Sequence, residues 1–144
     1  MPAYAPGILT GPITKTVTFT GAAGNGAVGN VVLYTVSGLV IGATIVPKCT
    51  EGLVSAGGGS VSLGTVSDTD LFILATTATA IAIGDLWLDA TPTEASMAVP
   101  AALKDVAVNN ENIVMEVTVG GVTDGTLVFE LWALLAPGAT VAAA

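Results

Sequence analysis

Six residues from Gly24 read GNGAVG, the GxGxxG spacing by which a glycine-rich turn brings backbone amides up to a dinucleotide pyrophosphate. A strand-like run, ITKTVTFT, precedes it. In a working phosphate site the third glycine opens a helix, whose N-terminal amides and dipole hold the anion. Here Gly29 leads instead into Asn30-Val31-Val32-Leu33-Tyr34-Thr35-Val36, a β-branched run with poor helix propensity. Glu51 sits near the distance of a ribose-binding acid but within a Thr-Glu-Gly turn. The run therefore reads as a glycine-rich hairpin connection, with Asn25 and the glycines free to take positive φ.

Other chemistry is equally short of parts. The chain has no histidine, which removes Ser-His-Asp and Cys-His catalysis and any His-based metal site. The lone Cys49 can form neither an intramolecular disulfide nor a multi-cysteine site, and reads as a small buried hydrophobe. Lys48 and Lys104 could in principle serve a Ser–Lys pair, but no serine is placed beside either. Three carboxylate pairs remain: Asp68 with Asp70, Asp85 with Asp89, and Glu111 with Glu116. Glycosidase chemistry needs such a pair across a cleft lined with sugar-binding aromatics. The few aromatics (Tyr4, Phe19, Tyr34, Phe72, Trp87, Phe129, Trp132) fall mostly in strand patterns that packing explains. SDTD at Ser67–Asp70 and NNEN at Asn109–Asn112 offer oxygen ligands for calcium without the spacing of a calcium loop. Turn formation accounts for both. The expectation is a protein with no enzymatic activity, no cofactor and no metal.

Composition points to contact surfaces. Apolar residues are 52% of the 144 and charged residues only 10%, against about a quarter charged in ordinary soluble domains. The longest apolar runs, Leu71–Gly84 and Leu127–Ala136, are too short for a membrane helix of about 20 residues. MPAYAPGILTGP lacks the basic start and long apolar run of a signal peptide. Eleven acids against three lysines (Lys15, Lys48, Lys104) leave a net charge of −8, so no direct nucleic-acid binding is expected. The sequence thus reads as a soluble chain with large buried contacts in an oligomer or assembly.

The elements that position these residues have a period of two. In ITKTVTFT, Ile13, Val17 and Phe19 share a face with Lys15, and threonines line the other. VVLYTVSG, VIGATIVPKC, SVSLGTV, LFILATT, AIAIGDLWLDA, NIVMEVTV and TLVFELWALLA continue the pattern, the last two joined by GGVTDG, whose Asp124-Gly125 is a hairpin signal. AALKDVAV after Pro100 fits either a strand or two helical turns. The expected fold is all-β, an antiparallel β-sandwich or jelly-roll/barrel-like single domain. Its expected limits are an extended N-terminal arm over 1–12, the sandwich over 13–136 and a C-terminal tail over 137–144.

Both faces of the strands carrying Trp87 and Trp132 are apolar, which places such a strand at the centre of a sandwich or beneath a second subunit. The candidate contact residues are therefore Trp87 and Trp132, together with Tyr4, Ile8 and Leu9 of the arm.

From Val31 to Pro92, under half of the chain, the sequence resembles small virion structural proteins of tailed bacteriophages. The resemblance lies in Tyr34–Gly38, Cys49–Leu53, Ser62–Thr65, Ala75–Thr79 and Trp87–Pro92 occurring in that order. It implies a β-rich, often trimeric capsid cement (decoration) protein on the virion surface, made in the host cytoplasm, with the major capsid protein as partner and no catalytic residues. A tail, neck or head-fibre component that attaches to the host surface is the alternative it leaves open. The N-terminal arm and the region after Met97 depart from the pattern.

Overall fold

The computed structural model describes residues 8–103 and 106–144, with Ile8 described by its backbone alone. Nine strands form in chain order: β1 Ile8–Thr18, β2 Gly29–Ser37, β3 Leu39–Val54, β4 Ser60–Thr65, β5 Ile73–Thr77, β6 Val106–Asn109, β7 Ile113–Thr118, β8 Asp124–Leu135 and β9 Thr140–Ala143. Single 3₁₀ turns lie at Ala78–Ala80 and Ala101–Leu103. The described strands pair antiparallel in two sheets, ordered β1-β8-β3-β6 (sheet one) and β5-β4-β7-β2-β9 (sheet two). The sheets stack as a sandwich and are not closed into a barrel.

Alternation decides what fills the space between them. On β8, Leu127, Phe129, Leu131, Ala133 and Leu135 point inward and are buried; β3 contributes Val40, Ala43, Ile45 and Cys49. Sheet two answers with Leu33, Tyr34 and Val36 of β2, Leu63 of β4, and Ile113, Met115 and Val117 of β7. Tyr34 follows a register shift on β2, and its hydroxyl reaches into sheet one, 2.8 Å from the carbonyl of Ile13 and 3.0 Å from that of Phe129. Burial, reinforced by the charge of Glu130, raises the phenol far above its ordinary value, so it stays a neutral donor that pins one sheet to the other.

Consecutive strands rarely pair. β4 and β5 are neighbours joined in one sheet; every other described connection crosses from sheet to sheet. GNGAVG therefore links β1 in sheet one to β2 in sheet two and is a crossover, where a hairpin was expected. Its physical basis is close backbone approach. Gly26, at φ +107°, accepts a 2.7 Å hydrogen bond from Val122 N–H in the β7–β8 connection, and a Cβ there would fall 2.0 Å from the Val122 carbonyl oxygen. Asp124-Gly125 is likewise no hairpin turn: Asp124 already pairs with Val54 of β3, and Gly125 O accepts from Phe19 N–H. The chain reverses earlier, through Val119 at φ +70°.

Two further elements differ from expectation. The AIAIGDLWLDA segment is a series of turns, with Trp87 and the adjacent Leu88 both buried, which strand alternation forbids. It hydrogen-bonds along the second half of β3, Cys49 N–H to Asp85 O (2.8 Å) and Trp87 N–H to Pro47 O (3.1 Å), where β6 no longer reaches. AALKDVAV splits into one 3₁₀ turn and β6. At the ends, Ile8–Thr10 pair with Leu135–Ala133 and Thr140–Ser37 opens the β9 pairing, so strand structure enters both the 1–12 and 137–144 stretches. Among the described residues no helix is long and apolar enough to cross a membrane.

Candidate functional site

The carboxylates of the acidic turns are engaged in local hydrogen bonds. Ser67 donates to Glu111 from its N–H (2.9 Å) and its hydroxyl (2.8 Å), so SDTD and NNEN meet in space. This hydrogen bonding holds the Glu111 carboxyl below its ordinary value. Asp68 shares a hydrogen bond with Asp70, which raises the Asp68 carboxyl. Glu116 instead accepts from Thr69 (2.7 Å), Asp85 from Ala82 N–H (2.9 Å) and Asp89 from Thr91 (2.7 Å). Each of these carboxylates closes a turn or ties a loop. No group of three or more potential metal ligands occurs among the described residues. Cys49 is buried, and burial raises its thiol above the ordinary value.

The outstanding surface feature is the outer face of sheet one. Because Ala133 and Leu135 of β8 point inward, Trp132 and Leu134 must point out. Leu134 pairs with Leu9 of β1 on one side and Gly42 of β3 on the other. Alternation places Leu39 outward, and a bulge between Val40 and Gly42 adds Ile41 to the same side. The result is an apolar patch of Leu9, Leu39, Ile41, Trp132 and Leu134, exposed by 67%, 41%, 45%, 44% and 38%. Scattered exposed hydrophobes are ordinary, whereas a contiguous patch of several hundred Å² marks a contact surface.

Local backbone shape gives the patch relief. β1 skips register between Thr10 and Ile13, leaving Gly11 beneath Trp132; a Cβ on Gly11 would lie 3.0 Å from Trp132 Cδ2. A Cβ on Gly42 would meet nothing within 4 Å. Trp132 thus lies over Gly11 of β1, while the space above Gly42 of β3 stays open. Further along the same face the character changes. Thr14 donates to Glu130 (2.7 Å), Thr126 donates to Glu51 (3.2 Å), and Thr16, Thr18 and Lys48 complete a polar half.

Of the residues expected at a contact, Leu9 and Trp132 are brought together here. Trp87 is separated from them: it is 0% exposed, and its indole N–H donates to Thr76 Oγ1 at 3.0 Å. It fills the interior of this chain and has no surface to give a partner, because the turn-rich segment around it tucks under β3 and does not lie in a sheet. Tyr4 lies outside the described residues, as does the side chain of Ile8. Leu39, Ile41 and Leu134 escaped the sequence reading. The signal was available as strand parity: each lies two residues from another outward apolar group, across a buried one.

No protein-family model and no curated protein matches the chain. Among solved structures, it is similar to a chain of the acidic stable capsid structure of Helicobacter pylori bacteriophage KHP30, with a TM-score of 0.43 and 15% identity over 94% of this chain and 97% of that one. It is also similar to a chain of the cyanophage Pam1 capsid asymmetric unit, with a TM-score of 0.46 and 14% identity over 93% of this chain and 91% of that one.

Proposed function

We propose that this protein is a bacteriophage capsid cement (decoration) protein, which binds the assembled head lattice through homo-oligomeric and capsid contacts and carries out no catalysis. The observation that carries the reading is the apolar patch spanning the strands of sheet one on a face that nothing in the described chain covers. A cement protein adds binding free energy to the assembled lattice alone and so stabilises it by mass action. That role requires a contact face and a rigid scaffold, and the two-sheet sandwich pinned by Tyr34 supplies both. The motif order from Tyr34 to Pro92 supports a virion protein, with a trimer as the favoured assembly and the major capsid protein as partner. The net charge of −8 would favour basic patches on that coat.

The test compares phage heads with and without the protein. Heads lacking it are expected to burst at lower temperature and on milder osmotic shock, and purified protein added back should cosediment with them and restore resistance. Heads of unchanged stability that bind none of the added protein would refute the cement role and move the chain to the tail, neck or head fibres.

A further inference from the structure

We propose that the 66–71 loop is an acid-released flap on the outer face of sheet two, latched over Val114 by two carboxylates, Glu111 and Glu116.

The flap has a side chain to cover. Alternation on β7 sends Ile113, Met115 and Val117 into the core and Val114 outward. Val114 is nevertheless 0% exposed, and it stands outside the buried cluster between the sheets. Its neighbour across the β4–β7 pairing is Gly64, which has no side chain to shield it. Over Gly64 runs the loop: a Cβ there would fall 2.1 Å from Asp68 O and 2.8 Å from Asp70 N. On the β2 side the neighbour is Val32, itself half-exposed. The loop is therefore what keeps water from Val114.

The two sides of the loop are fastened by different chemistry. On the β4 side the bonds are neutral: Thr65 N–H to Asp68 O (2.9 Å), Asp68 N–H to Thr65 O (3.2 Å) and the Ser62 hydroxyl to Thr69 O (2.9 Å). On the β7 side, every hydrogen bond among the described residues ends on a carboxylate. Glu111, in the turn between β6 and β7, accepts from the Ser67 N–H (2.9 Å) and hydroxyl (2.8 Å). Glu116 of β7 accepts from the Thr69 hydroxyl (2.7 Å). Hydrogen bonds to an ionised acceptor are the stronger kind, and protonation takes that strength away. The β4 side is thus a hinge indifferent to pH, and the β7 side is a latch that titrates.

The charges around the latch set the direction of the switch. Lys15 and Lys48 lie on sheet one, and the cross-strand neighbours of Glu116, Ser62 of β4 and Asn30 of β2, are uncharged. Asp68 and Asp70 are the charged groups of the loop itself, and Asp68 faces both Asp70 and Glu111. Bonds from the Ser67 N–H, then from the Thr65 and Ser67 hydroxyls, hold the Glu111 carboxyl below its ordinary value. A lowered carboxyl stabilises its contact above the ordinary value and loses it as pH falls through the lowered one. The flap accordingly stays shut down to about pH 4 and opens below it. The raised Asp68 titrates with the opposite sign, but its hydrogen bond is to Asp70 within the loop, so it shapes the flap without tying it to β7.

Val114→Cys places a thiol under the flap, and the buried Cys49 reports any opening of the whole sandwich. Labelling with dithiodipyridine, which reacts in acid as well as at neutral pH, should be slow for both thiols at neutral pH. Below about pH 4 the introduced thiol should label at least about tenfold faster while Cys49 stays slow. Adding Glu111→Gln and Glu116→Gln, which imitate the protonated acids, should give the same fast labelling at neutral pH. Hydrogen exchange of the Ser67–Leu71 amides, compared at one neutral pH between wild type and Glu111→Gln/Glu116→Gln, reads the flap without the cysteine and should be faster in the variant. An introduced thiol that labels fast at neutral pH with both glutamates present, or only together with Cys49, overturns the inference. So do loop amides whose exchange the two glutamines leave unchanged.

Discussion

The two outer faces of the sandwich are finished differently. On sheet two, Glu116 of β7 accepts from Thr69, Ser62 of β4 donates to the Thr69 carbonyl (2.9 Å), and the 66–71 loop lies so close to β4 that a Cβ on Gly64 would fall 2.1 Å from Asp68 O. The 66–71 loop thus covers β4 and β7 there, while Val32 of β2 and Leu74 of β5 stay exposed singly, by 39% and 64%. On sheet one, the polar half is also satisfied internally, yet the apolar half carries five large exposed side chains. The same alternation of residues built both faces, so the difference lies in what each outward position was given. The lesson is that period-two patterning assigns a side chain to a face, and only the neighbouring strands and loops reveal which outward positions the chain itself covers and which it leaves exposed together.

The largest expected effect sharpens the contrast between the two tryptophans. Trp87→Ala removes a fully buried indole and should cost about 3–5 kcal/mol of folding free energy in chemical denaturation. Trp132→Ala should change monomer stability by less than about 0.5 kcal/mol while abolishing association. A Trp132→Ala chain as unstable as Trp87→Ala would break the comparison.

Next comes the crossover. Gly26→Ala forces a Cβ against the Val122 carbonyl at a positive φ and should cost about 1–3 kcal/mol, read as a lower denaturation midpoint with unchanged oligomer mass. On the closed face, Thr69→Val deletes the 2.7 Å donor to Glu116 and should cost about 1 kcal/mol, again with no change in mass. A mass change from Thr69→Val would place a partner on sheet two instead. In the opposite direction, Val119→Gly relieves a β-branched residue at φ +70° and should gain up to about 1 kcal/mol.

The smallest effect is electrostatic. The Asp68 carboxyl is raised by its hydrogen bond with Asp70, so its contribution to stability is present at low pH and lost as pH rises through the raised value. Asp68→Asn should therefore raise the melting temperature slightly at neutral pH and leave it unchanged near about pH 3, where the wild-type group is protonated. A gain of equal size at both pH values would show that the Asp68–Asp70 contact is not the cause.

Much of the fold was legible because alternation is a local signal. Ile13, Val17 and Phe19 against a row of threonines gave the faces of β1 correctly, and most strands followed. Partnering was not legible, because it depends on contacts far apart in sequence. GNGAVG and Asp124-Gly125 carry the residues of tight turns, yet both serve sheet-to-sheet crossovers held by backbone contacts such as Gly26 with Val122. Trp87 was misplaced for a related reason: Leu-Trp-Leu mimics a strand, while the buried Trp87–Leu88 pair and the hydrogen bonds to Pro47 and Cys49 make it a packed turn. On the apolar patch, Leu9 and Trp132 are the two residues already singled out in the sequence. Their joining into one patch with Leu39, Ile41 and Leu134 required the register of three strands.

Trp132 itself provides the most direct measurement. In a Trp87→Phe background it is the lone tryptophan, since the chain has two, and acrylamide quenching of its fluorescence reports whether water reaches the apolar patch. The account predicts weak quenching at micromolar concentration, rising on dilution and already high in the added Leu134→Lys variant. Strong quenching that is the same at every concentration and in both proteins would contradict it.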